Sequence, residues 1–180
     1  MILPDHELRT WAKTNVTPYD PECINPASID LRLGDEIRIP HRIWTSTGRE
    51  LERLVEGATT NKWPRWAEPL TFTTYQLRPG DFVLCHSLEY THLLPTQVGC
   101  LYLKSSLGRM GLEHLHAGFG DPGFEGQWTW ELKNMAPWPI ELVAGQRLMQ
   151  LVVMKLSSPP EREYGKTGKY QGQTGPTEAR

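Results

Sequence analysis

Between residues 70 and 155 the chain is interrupted by turn chemistry about every ten residues, a spacing that suits short strands. The runs LTFTTYQL, FVLCHSLEYTHLL, VGCLYLKSS, GQWTWELKN, IELVAGQ and RLMQLVVMKL are rich in β-branched and aromatic residues. Arg78-Pro79-Gly80-Asp81, Pro95, Pro137 and Pro139 separate them. Pro and Gly at that rhythm predict a mainly β barrel or sandwich. Within this region only residues 106–112, with Leu107, Met110 and Gly111, suit one or two helical turns.

The flanks read differently. Residues 5–13 suggest one short amphipathic helix, with Asp5 as cap, Glu7 in the first turn and Leu8 and Trp11 three apart. Residues 28–39 alternate Ile29, Leu31 and Leu33 with polar neighbours, predicting a half-buried strand broken at Gly34 and stopped by Pro40. From 41 to 70 the pattern dissolves among charges, threonines and Trp44, Trp63 and Trp66, as an irregular insertion or β arm would. After Ser158, Pro159 and Pro160 are followed by four spaced glycines with hardly an aliphatic residue, so 159–180 has no core of its own and is expected to be a flexible lid. Residues 1–158 then form a single domain, large enough to bury a core.

A net charge of −2 gives no bulk attraction to nucleic acid or membrane. Cys23, Cys85 and Cys100 form no CxxC pair and are expected as packed, reduced thiols. No stretch approaches the ~18 apolar residues of a membrane span, and the first residues lack a signal-peptide core. A cytoplasmic protein is expected.

The chemistry concentrates in residues 104–134. Lys104, Ser105 and Ser106 offer a cation and two hydroxyls at a strand end, suited to phosphate oxygens, although Lys-Ser-Ser alone is more often a solvated turn. Arg109 lies four residues beyond Ser105, on the same helical face, and could equally pair with Glu113. Asp121 in Asp-Pro-Gly is ordinary turn chemistry taken alone. Alternation puts Glu131 on the face of Thr129, opposite Trp128, Trp130 and Leu132. If that face closes into a pocket, desolvation raises its pKa and fits it for proton transfer; otherwise it is the solvent side of a sheet. The HxE…PCxxC signature of zinc deaminases is absent, and no zinc is expected.

SSLGRMGL, AGFGDPGF and ELKN, with INPASIDLRLG near the start and GKYQGQTGPTEAR at the end, resemble the dCTP deaminase family of the dUTPase-like superfamily. The resemblance implies a distorted jelly-roll β-barrel, with a short N-terminal helix and a flexible C-terminal tail. It implies hydrolytic loss of the cytosine 4-amino group from dCTP, giving dUTP and ammonia by metal-free water activation, with Mg²⁺ carried only on the substrate phosphates. Glu131 would shuttle protons while Ser105 and Arg109 order the water. Lys104, Ser105, Ser106, Ala117, Asp121, Gln150, Tyr164, Lys169 and Gln173 would bind the nucleotide, Asp121 through the 3′-hydroxyl. Family members of this kind are homotrimers with sites between subunits.

The chain departs from the family pattern at His116 and Gly120, where a threonine and a β-branched residue are usual. A vacancy there would admit a 5-substituted dCTP. Rival readings are a bifunctional enzyme that carries dUTP on to dUMP and pyrophosphate, a dUTPase alone, and a non-catalytic nucleotide-sensing domain. The last of these has no use for Glu131.

Overall fold

The computed structural model describes residues 1–40, 66–162 and 164–179, so most of the expected insertion, with Trp44 and Trp63, lies outside the described residues. Eleven strands and three short helices are present among them: α1 Asp5–Asn15, β1 Val16–Thr17, β2 Ile29–Arg38, β3 Leu70–Thr71, β4 Thr74–Leu77, β5 Phe82–His92, β6 Gln97–Leu103, α2 Ser105–Arg109, β7 Leu112–Glu113, β8 Phe119–Gly120, β9 Glu125–Asn134, β10 Ile140–Val143, β11 Arg147–Lys155 and α3 Tyr164–Thr167. A 3₁₀ turn, Pro21–Cys23, follows β1. The mainly β expectation holds, as a curled antiparallel half-barrel.

One sheet runs in the order β7-β9-β5-β2-β11-β6-β8, with β1 added on β5 and β3 on β2, while β10 pairs with β4 apart from it. All the strand pairs are antiparallel, and neighbours in the sheet are mostly distant in sequence. Inward positions of β2, β9 and β11 supply the core, among them Leu31, Leu33, Trp130, Leu132, Leu148 and Leu151. Helix α1 closes one side by burying Leu8, Trp11 and Ala12, and the Trp11 indole N–H donates to Gln97 Oε1 at 2.9 Å. All three cysteines are unbridged. Among the described residues no helix is long and apolar enough to cross a membrane.

Three local expectations need correction. Pro4, not Asp5, sits at the N-cap of α1, and the Asp5 carboxylate instead accepts from Arg9 one turn on at 2.8 Å. Strand β2 continues through Gly34, because the His86 ring fills the space where a side chain would stand; the irregularity is a register shift between Leu33 and Ile37. Helix α2 begins one residue early and stops at Arg109, since Leu112 is drawn into pairing with Asn134 of β9.

Candidate active site

Strand β9 is the spine of the site. Its burial alternates along its full length, with Trp128, Trp130 and Leu132 buried and Thr129 and Glu131 half-buried on the other face. Glu131 is paired across the sheet with Leu84 of β5 and faces a cavity of about 780 Å³. Burial holds the Glu131 carboxyl above its ordinary range, opposed only by its own backbone hydrogen bond. Among the described residues no cation or side-chain donor partners it.

Asp121 lies at the cavity wall in the turn before β9, where its carbonyl accepts from the Phe124 N–H at 3.0 Å. Gly123 has φ +82°, the left-handed conformation this turn requires. The aromatic wall runs from Trp128 to Phe124, with ring centroids 4.7 Å apart, and on to Tyr164 at 5.9 Å. Facing it are Leu84, Phe82 and Trp66, the last two with centroids 5.5 Å apart.

The C-terminal tail forms the remaining side. Gln173 makes a parallel bridge to Gly126, the Gln127 N–H donates to Gln173 O at 2.9 Å, and the Gly172 N–H donates to Glu125 O at 2.8 Å. Further on, the Gly175 N–H reaches Gln127 Oε1 at 2.8 Å and the Thr177 N–H reaches Thr129 Oγ1 at 3.0 Å. The tail thus lies as an added edge on β9, beside the residue that shares Glu131's face. A Cβ at Gly126 would come within 3.1 Å of Gln173 O, so this close seat requires glycine.

Six of the residues singled out in the sequence line this cavity: Glu131, Asp121, Ala117, Tyr164, Lys169 and Gln173. Lys104, Ser105, Ser106, Arg109 and Gln150 do not. They cluster around the end of β6, where Lys104 Nζ donates to the buried Asp30 carboxylate at 2.7 Å. The second Asp30 oxygen accepts from Asn25 Nδ2 at 2.9 Å, and Gln150, which pairs with Asp30 across β2 and β11, donates to Ser28 Oγ at 3.2 Å. Ser105, Ser106 and Arg109 are exposed on α2.

Sequence reasoning assigned no site role to Trp66, Phe82, Leu84 or Thr177, because strand register and the return of the tail set their place. The vacancy expected at Gly120 is also filled. A Cβ there would stand 2.2 Å from the Trp128 indole, so the glycine makes room for tryptophan and leaves no methyl-sized space. His116 is exposed, 3.8 Å from Glu113, and does not line the cavity.

A desolvated carboxylate on a strand, unpartnered among the described residues, inside a cavity walled by aromatics and a glycine-rich tail, is an arrangement suited to acid–base chemistry on a planar ligand. Residues 2–156 match a family model described as dCTP deaminase-like. Over the whole of this chain, relatives named "dCTP deaminase, dUMP-forming" are 41% identical in Mycobacterium avium (strain 104), across 95% of that protein, and in Thermobifida fusca (strain YX), across 92%. The 2′-deoxycytidine 5′-triphosphate deaminase of Agrobacterium tumefaciens shares the fold, with a TM-score of 0.62 at 21% identity, over 84% of this chain and 48% of that one. The chain belongs to the dCTP deaminase family, a family of enzymes.

Proposed function

We propose that this protein is a cytoplasmic dCTP deaminase whose proton shuttle is Glu131, and that it carries its product on to dUMP. The observation that supports this most is the desolvated Glu131 carboxylate, unpartnered among the described residues, facing the cavity. Deamination needs a proton taken from water as it attacks C4, a proton given to N3, and a proton delivered to the leaving ammonia. One carboxylate with a raised pKa serves all three steps. In sum, dCTP and water give dUTP and ammonia. A second water at the α phosphorus then gives dUMP and pyrophosphate. The sequence alone favours stopping at dUTP; the full-length relatives, named for dUMP, support the longer course. In this reading Asp121 holds the 3′-hydroxyl, Lys169 and the tail close on the phosphates, and Mg²⁺ rides on those phosphates as part of the substrate.

Ser105 and Arg109, cast as the residues that order the water, stand outside this chain's cavity, as do Lys104, Ser106 and Gln150. A second copy would supply them, in a homotrimer with sites between subunits. The outward face of β6 and β8 supports this assembly. Phe119 is 62% exposed and Tyr102 53%, Cys100 lies between them in register with Phe119, and Phe119 itself lines the cavity. Such an apolar face suits burial against another copy.

Chromatographic analysis of products from Mg·dCTP tests the reading. Ammonia, dUMP and pyrophosphate in equal amounts, without accumulation of dUTP, are expected. dUTP as the end product would reduce the activity to deamination, and unchanged dCTP would contradict the proposal.

A further inference from the structure

Arg38 ends β2 directly across from Leu84, and Leu84 stands directly across from Glu131, so these three form one cross-strand row over β2, β5 and β9. Residues opposite one another in a ladder share a face, roughly 5 Å apart at each step, which puts Arg38 about 10 Å from Glu131 on the cavity side of the sheet. It does not line the cavity itself. Its guanidinium instead holds two segments that do. Nε donates to Pro176 O at 2.8 Å, and Nη1 donates to Glu178 Oε1 at 2.7 Å and to Ala67 O at 3.1 Å.

The two segments are walls of the same cavity. Trp66, next to Ala67, packs at a tilt against Phe82, which lines the cavity with Glu131, and the Ala67 N–H returns to Ile39 O at 2.9 Å. Thr177, between Pro176 and Glu178, lines the opposite side and bonds Thr129. Neither segment carries a core of its own, so each depends on a few hydrogen bonds for its position. A guanidinium presents its donors in a fixed fork; a lysine ammonium in its place could not bridge the same three acceptors in this geometry.

We propose that Arg38 is a positioning residue that joins the Trp66 wall to the C-terminal tail, so that both sides of the cavity close on the nucleotide as one unit. The inference rests on the deaminase reading for the identity of the nucleotide, but the coupling itself does not depend on which reaction follows. Closure and binding are linked. If only a fraction of molecules is closed, the apparent affinity falls by that fraction, while saturating nucleotide restores the closed form. Loss of Arg38 should therefore raise KM and spare kcat.

Arg38→Met is expected to raise KM for Mg·dCTP about 10-fold with kcat within threefold of wild type. Arg38→Lys should not restore KM. Hydrogen exchange read by mass spectrometry, in the Glu131→Gln background to prevent turnover, should show faster exchange in peptides covering both 66–72 and 172–179, with β11 unchanged. Mg·dCTP should re-protect both at one shared concentration, about 10-fold higher than without the Arg38 change. If Arg38→Met proves too unstable to assay, Glu178→Ala removes one half-buried partner and should shift KM about threefold the same way. An unchanged KM, or faster exchange in the tail with 66–72 unaffected, would overturn the coupling. Wild-type protein that fails to turn over dCTP would refute the deaminase reading and leave the exchange result to be judged separately.

Discussion

Glu89 on β5 and Glu131 on β9 are carboxylates within the same sheet, and burial pushes both above their ordinary range. They differ in their partners. Glu89, 2% exposed, accepts from Arg32 Nε at 2.6 Å and from the Arg32 backbone N–H at 2.7 Å, and Arg32 reaches on to Asp20 at 3.4 Å. Among the described residues Glu131 has no such cation, and it opens onto the cavity. A raised pKa alone therefore does not mark a functional group. In Glu89 the desolvation is partly offset by Arg32 within the fold, whereas in Glu131 it is opposed only by a backbone hydrogen bond and the group faces the cavity.

The comparison is open to attack from both sides. Glu89→Ala should be the more damaging change to stability, because it leaves the mostly buried Arg32 guanidinium without its principal partner. A loss of about 3 kcal/mol is expected, somewhat below the full range for wholly buried pairs given the access of Arg32 to water. Thermal melts should show Tm falling by about 6–12 °C, at the usual 2–4 °C per kcal/mol for a chain of this size. Turnover by the folded fraction should stay within threefold of wild type. A Tm within a degree of wild type would mean that the Arg32–Glu89 pair contributes nothing.

Glu131→Gln should act on stability in the opposite direction and by less. The folded-state pKa lies above the ordinary value of 4.5, so the folded protein holds the proton more tightly than the unfolded chain. Well below pH 4.5 the carboxyl is neutral in both states and no charge penalty arises. As pH rises through the folded pKa, an increasing penalty for the buried charge appears, and the glutamine variant escapes it. Melts at pH 7.5 should therefore place Glu131→Gln above wild type, with the difference vanishing near pH 4. A variant less stable than wild type at pH 7.5 would show that Glu131 has a partner after all.

Much of the fold was legible in the sequence, because turn residues and alternation are local. The order Trp128-Thr129-Trp130-Glu131-Leu132 states which side chains point inward, and the structure repeats it. Gly34 misled because its reason lies fifty residues away, in the His86 ring that lies over it. Gly120 misled in the same way, since the space beside it belongs to Trp128. In the site, Asp121 and Glu131, which the sequence places on one continuous segment, line the same cavity, yet Glu131 and the Lys104–Arg109 group fall in different parts of one chain. Sequence proximity gives no distance between two sides of a curled sheet. Arg38 and Trp66 were invisible for a related reason. Their roles come from the register of β2 on β5 and from the return of the tail, neither of which leaves a local signature.

The contrast between the two carboxylates is tested most directly by measuring dCTP binding and turnover in Glu131→Gln side by side. Binding at equilibrium should stay within about threefold of wild type, while deamination should fall at least ~10²-fold, the usual effect of losing a general base. Deamination within threefold of wild type would contradict the assignment of Glu131 as the proton shuttle.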